Sequence, residues 1–235
     1  MNSKHLIIFD MDHTILKDNS DYVILDLLSK ESQNILDQLN RKSTNWAKHM
    51  QTVYHKMRDE NVEISQIKKI IDNCPLNSGF DELFNLIKQN KDKFDCIIVS
   101  GANTLFVKWI IEKYNLTDIF TDYFSNIAEP CNENLIKIEQ ANYHNCETCD
   151  ESMCKRMIVQ DYINNKGYDK LLYLGDGSND YCPATIFSEK DYLFPREGFP
   201  LYNKLYKKNF INQLRCNVSP WKSGHCVIEV LKKLI

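Results

Sequence analysis

The stretch His5-Leu6-Ile7-Ile8-Phe9-Asp10-Met11-Asp12-His13-Thr14 joins a short apolar run to two carboxylates. Residues 6–9 are typical of a strand buried on both faces, as strands of parallel sheets are. Asp10 and Asp12 follow directly, and residues two apart on an extended chain point to the same side. Both acids are therefore expected to face one small volume at the carboxyl end of this strand, where open α/β sheets bind ligands.

Two carboxylates held that close repel each other unless a cation lies between them or one of them is protonated. Hard oxygen ligands favour Mg²⁺. Two other interpretations start from the same residues. The pair could form an ordinary turn or helix cap. A calcium loop would place Asp10, Asp12, Thr14 and Asp21 at its positions 1, 3, 5 and 12, but it needs glycine at position 6, where Ile15 stands.

The composition indicates a globular protein. The chain has 235 residues, of which 26% are charged and 43% hydrophobic, and its formal net charge is −3. This balance gives no reason to expect nucleic acid or an anionic membrane as a partner. No apolar run approaches the roughly 20 residues that span a bilayer, and no signal peptide is recognisable. Nine cysteines is an odd number, which argues against a closed disulfide set, so a reducing cytoplasm is expected.

Strands and helices alternate along most of the chain. Apolar residues recur at helical spacing over residues 31–72, and buried strands are predicted at 94–99 and 170–174. This order predicts an α/β fold with a doubly wound, mainly parallel sheet. Residues 1–18 and 76–235 are expected to form the core, and residues 19–75 an inserted helical cap. Three strands end in polar clusters, at Asp10, Ser100 and Asp176, which should converge at one edge of the sheet.

The order of these motifs resembles the haloacid dehalogenase superfamily of phosphohydrolases. Asp10-x-Asp12-x-Thr14 follows a first strand, Ser100 a second, Lys155 lies on a helix, and Gly175-Asp-Gly-Ser-Asn-Asp180 follows a later strand. Asp12 also distinguishes among the reactions of the superfamily, because a phosphate ester needs an acid there and carbon–halogen cleavage does not.

The match extends over nearly the whole chain. Residues 9–21, 100–103, 175–183 and 194–200, together with the cluster at residues 144–155, look like the phosphoethanolamine/phosphocholine phosphatase family, which includes members reported to act on pyridoxal phosphate. The resemblance implies a magnesium-dependent phosphatase acting on a small phosphomonoester.

The resemblance and the chemistry of the residues assign the same roles. Asp10 would attack phosphorus to form an aspartyl-phosphate, and Asp12 would act as acid and base. Mg²⁺ would be held by Asp10, the Asp12 backbone carbonyl and Asp176, with Asp180 bound directly or through water. The residues expected to bind phosphate are Thr14, Ser100, Gly101 and Lys155.

Substrate selection is expected at Asp21 and Tyr22. In the resembled family, one aspartate aligned with Asp21 and another just after the serine of the second motif are thought to face an amine head group. The second position is Gly101 here, so a carboxylate is missing. Pyridoxal phosphate is therefore as strong a candidate as phosphoethanolamine or phosphocholine. Tyr22 and Trp46 could contact a cation or a ring, or belong to the core.

The segment from His144 to Cys154 leaves three interpretations open. His144, Cys146, Cys149 and Cys154 offer four ligands, the number that structural zinc requires. Reduced cysteines could instead position the loop that carries Lys155, or act as a redox switch.

Two other functions remain open at this point. One is a phosphatase for another small metabolite, such as a phosphorylated amino acid or sugar. The other is a non-catalytic protein that binds phosphate or accepts it at Asp10. A receiver-type signalling domain would lack the cap and would not need Asp12, which favours the enzyme. The sequence leaves the oligomeric state open.

Overall fold

The computed structural model describes residues 4–131, 134–164 and 166–235, and within these a seven-stranded sheet forms the centre of the protein. The strands are β1 His5–Phe9, β2 Phe94–Asn103, β3 Phe120–Cys131, β4 Leu135–Glu139, β5 Leu171–Gly175, β6 Tyr192–Pro195 and β7 Asn217–Val218. Their order is β4-β3-β2-β1-β5-β6-β7, and every neighbouring pair is parallel except β3 with β4. The predicted doubly wound, mainly parallel sheet is confirmed.

Strand β1 lies in the middle of the sheet and is buried on both faces, as its apolar run predicts. Leu6 and Ile8 pack into the apolar cluster on one face, whereas Ile7 and Phe9 pack into the cluster on the other. This alternation follows from the two-residue period of a strand. Because both faces are covered, β1 is held rigidly, and the residues that follow it begin from a fixed point.

The described ranges also contain ten α-helices. They are α1 Ser20–Val23, α2 Lys30–Asn40, α3 Trp46–Asp59, α4 Ile64–Asp72, α5 Phe80–Gln89, α6 Thr104–Lys113, α7 Lys155–Ile163, α8 Tyr181–Ala184, α9 Pro200–Tyr206 and α10 Gly224–Leu231. Asparagine caps two of the longer ones: Asn45 accepts the N–H of Lys48 at 3.1 Å and Asn103 that of Phe106 at 3.0 Å. No helix among the described residues combines the length and apolar character needed to cross a membrane.

Helices α1 to α4 form the insertion between β1 and α5. The chain enters and leaves it side by side, since Leu16 and Leu76 form an antiparallel bridge. The Asn77 side chain stabilises this pair of connecting segments by donating to the carbonyl oxygens of Thr14 and Leu16 at 2.7 and 2.8 Å. The division into a core and a cap at residues 19–75 stays a prediction. The predicted core segments also include residues 1–3, 132–133 and 165, which lie outside the described residues.

Strand β2 is longer than predicted. The sequence predicts a strand over residues 94–99 that ends in a polar turn at Ser100, whereas β2 continues to Asn103 with a shift in its pairing to β3 after Val99. Side chains from β3 bind the carbonyl groups in the shifted part: Ser125 Oγ donates to Ser100 O at 2.8 Å and Asn126 Nδ2 to Gly101 O at 2.8 Å. Because these donors are distant in sequence, no local pattern reveals the extension.

Candidate active site

The carboxyl ends of the central strands open into a cavity of about 300 Å³. The predicted polar clusters at Asp10, Ser100 and Asp176 meet there, as expected for parallel strands. Eight of the predicted active-site residues line the cavity: Asp10, Asp12, Asp21, Tyr22, Ser100, Gly101, Lys155 and Asp176. Two predicted residues, Thr14 and Asp180, are buried outside this lining.

Lys155 is the buried cation of the site. It begins α7, is only 1% exposed, and donates from Nζ to Asp10 Oδ1 at 2.8 Å and to Asp180 Oδ1 at 2.7 Å. Burial disfavours its ammonium form, but the two carboxylates outweigh that effect and raise the pKa of Lys155. Lys155 is therefore a fixed positive charge beside Asp10.

Asp180 supports the loop after β5. Its Oδ1 also accepts the hydroxyl of Tyr173 at 2.7 Å, and its Oδ2 accepts the N–H groups of Asp176 and Gly177 at 3.0 and 2.9 Å. Gly175 packs so closely on this carboxylate that a Cβ at that position would overlap it. Asp180 thus shapes the loop that presents Asp176 to the cavity.

The chemistry of the acidic groups fits a divalent cation. Carboxylate oxygens of Asp10, Asp176 and Asp180 all lie within 4.8 Å of one another. Burial, opposed by Lys155, raises the pKa of Asp10 to about 7, and burial together with the charges of Asp10 and Asp180 raises that of Asp176 to about 9. Buried carboxyls this close require a proton or a cation between them, and an all-oxygen set suits Mg²⁺.

Asp12 lies on the turn after β1 and is buried. Its Oδ1 accepts the N–H of Ser20 at 2.8 Å, and burial raises its pKa. The turn contains His13 in a left-handed conformation with φ of 53°.

Arg196, which the sequence analysis did not single out, donates to the His13 carbonyl and to Asn77 Oδ1. The only sequence signal for Arg196 is its place in the 194–200 segment of the family resemblance.

One wall of the cavity comes from the insertion. Asp21 is buried, its Oδ2 accepts the indole N–H of Trp46 at 2.7 Å, and its Oδ1 has no hydrogen-bond partner among the described residues. Burial and the nearby charge of Asp12 raise the pKa of Asp21 to about 8. Tyr22 is 50% exposed, with its ring 5.8 Å from that of Trp46. This wall offers a protonatable carboxyl beside two aromatic rings.

Strand β2 forms another wall of the cavity and leaves free space beside Gly101. Ser100 is buried and its Oγ accepts the N–H of Ala102 at 3.3 Å. A Cβ at Gly101 would meet only Asn179 Nδ2, at 3.9 Å, so the space beside Gly101 is free for a side chain. Thr14, which the sequence analysis placed on the phosphate, has a buried Oγ1 without a hydrogen-bond partner among the described residues.

The loop before α7 also reaches the cavity, which the sequence analysis missed. Asp150, Ser152 and Met153 line it, together with Asn179 from the loop after β5. The Asp150 carboxylate accepts the N–H of Trp46 at 3.0 and 3.2 Å, so it joins this loop to the insertion. An aspartate in a polar loop has no distinctive local pattern, so sequence alone does not single it out.

The same loop brings cysteines together outside the cavity lining. The sulfur atoms of four residues lie within 4.8 Å of one another; this four-cysteine cluster consists of Cys146, Cys149, Cys154 and Cys182. His144, the fourth ligand considered from the sequence, lies outside it. Its Nδ1 accepts the N–H of Cys146 at 3.2 Å and its Nε2 faces Asp150 O at 2.9 Å, so both ring nitrogens are engaged within the loop.

Comparison with known proteins gives consistent matches along the chain. The family model described as Putative Phosphatase matches residues 5–235. The pyridoxal phosphate phosphatase PHOSPHO2 of Mus musculus is 33% identical over 238 residues, covering 99% of both proteins. The phosphoethanolamine/phosphocholine phosphatase of Homo sapiens is 27% identical over 230 residues, covering 94% of this chain and 85% of that protein.

A solved structure supports the fold independently. It is described as a phospho-aspartyl intermediate analogue of phosphoserine phosphatase, and it matches with a TM-score of 0.64 at 18% identity, covering 99% of both chains. A further match, a haloacid dehalogenase family hydrolase of Salmonella enterica, has a TM-score of 0.58 at 15% identity over 87% of this chain and 71% of that one. The predicted haloacid dehalogenase-type fold is thereby confirmed.

Proposed function

Because the chain belongs to the Putative Phosphatase family and is a phosphomonoester hydrolase, we propose that it acts through a phosphorylated Asp10. The observation that carries this proposal is that Asp10 and Asp12 both line the cavity. Lys155 donates to Asp10 at 2.8 Å, and its positive charge favours the anionic form that a nucleophile needs, against the effect of burial. Burial raises the pKa of Asp12, which suits an acid that must carry a proton near neutral pH.

The reaction has two displacements at phosphorus. In the first, an oxygen of Asp10 bonds to phosphorus, the bond to the ester oxygen breaks, and Asp12 gives its proton to that oxygen. In the second, the Asp12 carboxylate takes a proton from water as the water oxygen attacks phosphorus. The bond between phosphorus and Asp10 then breaks, which releases inorganic phosphate and restores both aspartates.

Asp10, Asp176 and the Asp12 carbonyl are the groups that would hold Mg²⁺. When bound, the ion neutralises charge between these carboxylates and the phosphate. Both oxygens of Asp180 already accept hydrogen bonds from the protein, so Asp180 would act through water. Ser100, Gly101 and Lys155 are proposed to contact the phosphate oxygens.

Pyridoxal phosphate is the substrate that the cavity wall favours. The aromatic rings of Tyr22 and Trp46 lie on the same side as Asp21, so a pyridine ring could stack there while its polar groups meet the carboxyl. Gly101 leaves that side with fewer carboxylates than an amine head group would prefer. Relatives that are 32–33% identical over 99% of this chain carry the name of a pyridoxal phosphate phosphatase, which supports the same choice.

The test measures phosphate release from pyridoxal phosphate, phosphoethanolamine, phosphocholine, phosphoserine and a sugar phosphate. Each is assayed with Mg²⁺ and with EDTA, for the wild-type protein and for Asp10→Asn. Asp37→Asn is the matched control, since the exposed Asp37 carboxylate pairs with Arg41 on the surface of α2, away from the cavity lining. We expect magnesium-dependent turnover that Asp10→Asn abolishes and Asp37→Asn retains, with pyridoxal phosphate the preferred ester. Full activity in EDTA or in Asp10→Asn would contradict the mechanism.

The phosphorylated form of Asp10 can be detected directly. Asp12→Asn lacks the group that activates water, so with p-nitrophenyl phosphate, whose leaving group needs no acid, a phosphorylated enzyme should accumulate. Acid quenching and mass spectrometry should find one phosphoryl group on the peptide that contains Asp10. A phosphoryl group on any other residue would assign the nucleophile elsewhere.

A further inference from the structure

The four-cysteine cluster combines segments that are far apart in the sequence. Cys146 and Cys149 lie in the loop before α7, Cys154 immediately precedes α7, and Cys182 lies in α8. Cys154 and Cys182 are buried, whereas Cys146 and Cys149 are half-buried. All four are free thiols. The fold therefore gathers four sulfur donors at one point without joining them covalently.

The spacing of the sulfur atoms suits a tetrahedral metal site. A zinc ion with four sulfur ligands at about 2.3 Å has sulfur–sulfur edges of about 3.8 Å. The Sγ atoms of Cys146 and Cys182 are 3.7 Å apart, and all four lie within 4.8 Å of one another. Tetrahedral sulfur sets favour Zn²⁺ among the common divalent ions. We propose that the four-cysteine cluster binds a structural Zn²⁺.

The surroundings suit bound thiolates. The Thr148 hydroxyl lies 3.2 Å from Cys146 Sγ, where it can donate to a thiolate. Arg156 acts on Cys182 with a positive charge, which offsets part of the negative charge that four thiolates bring to one zinc ion. His144 holds the loop through its two ring nitrogens rather than facing the sulfurs. Its role in this site is to position the loop.

The zinc site would brace two parts of the active site together. Cys154 is the neighbour of Lys155, and Cys182 follows Asp180 by two residues. Lys155 and Asp180 are themselves joined by the ion pair at 2.7 Å. A zinc ion bound to both Cys154 and Cys182 would therefore fix the start of α7 against α8. This would keep the Lys155 ammonium group beside Asp10. Zinc here would have a structural rather than a chemical role.

Metal analysis of the full chain tests this without any substrate, so its outcome is independent of the proposed phosphatase activity. The protein is purified anaerobically under reducing conditions, and bound metals are measured by elemental analysis. We expect one zinc per chain. Exchange with Co²⁺ should give the intense sulfur-to-cobalt charge-transfer bands and the visible bands of a tetrahedral four-sulfur site. The cobalt spectrum needs no variant, so it remains informative if substitutions prevent folding.

Three variants separate the possible ligand sets. Cys182→Ser should lose zinc on dialysis against a chelator that the wild-type protein withstands. His144→Asn should keep the zinc, and Cys216→Ser is the control, since Cys216 is buried but lies outside the cluster. Loss of zinc in His144→Asn with retention in Cys182→Ser would overturn the proposed ligand set. A protein that neither contains nor takes up zinc, that holds iron instead, or that forms a disulfide between cluster cysteines under these conditions would overturn the zinc site itself.

Discussion

The indole N–H of Trp46 donates to Asp21 Oδ2 at 2.7 Å, so the first residue of α3 contacts a buried carboxyl of α1 at the edge of the cavity. The other oxygen of Asp21 has no hydrogen-bond partner among the described residues. A buried carboxyl with one donor is costly to ionise. The protonation state of Asp21 therefore depends on the hydrogen bond from Trp46 and on the ligand that binds in the cavity.

Removing the Trp46 donor should destabilise the protein. Trp46→Phe keeps a ring at the site but leaves a buried acceptor unpaired, which costs about 1–3 kcal/mol. A double-mutant cycle with Asp21→Ala, followed by urea unfolding, should show a coupling energy of that size. The control cycle uses Asp26→Ala, since Asp26 is exposed on the next turn. Equal coupling in both cycles would contradict a direct Trp46–Asp21 hydrogen bond.

Stability should fall with rising pH because of Asp21. Burial raises its folded-state pKa to about 8 from the ordinary 3.8, so the folded protein holds a proton that the unfolded chain releases. The free energy of unfolding therefore decreases as pH rises between these values. Asp21→Asn carries no proton to release, and its profile in EDTA should fall less steeply between about pH 5 and about pH 9. Parallel profiles would show that Asp21 titrates normally.

Lys155 should be needed for stability as well as for turnover. Lys155→Met leaves the buried carboxylates of Asp10 and Asp180 without their cation, so we expect a loss of about 3–5 kcal/mol in unfolding free energy and no detectable phosphate release. Lys232→Met removes the exposed pair with Glu229 and should cost about 0–1 kcal/mol. A stable Lys155→Met protein with normal turnover would contradict both roles.

The open space at Gly101 allows a test of substrate choice. Gly101→Asp adds a carboxylate where the nearest atom to a new Cβ is Asn179 Nδ2 at 3.9 Å, so the backbone need not move. We expect kcat/KM for phosphoethanolamine, relative to that for pyridoxal phosphate, to rise by about tenfold, which corresponds to roughly 1.4 kcal/mol. Gly101→Asn has nearly the same shape without the charge. If both variants shift the ratio equally, charge at this position does not select the amine.

Local patterns were sufficient for much of the fold and for the polar residues that meet at the candidate site. The apolar run of β1 and the alternation of strands with helices predicted the parallel sheet, because a strand buried on both faces has a continuous apolar sequence. Asp10, Asp12 and Asp176 were predicted together because strand ends in a parallel sheet share one edge.

Other features depended on contacts between distant segments. Arg196 reaches the carbonyl of His13, which is 183 residues away, and Cys182 joins three cysteines from the loop before α7. Neither contact has a local signature, because each is made only when separate strands and helices pack together. The sequence therefore determined which polar residues end the strands and line the candidate site. Only the tertiary structure decided which side chains meet around them, because those contacts depend on how the insertion and the loops pack over the edge of the sheet.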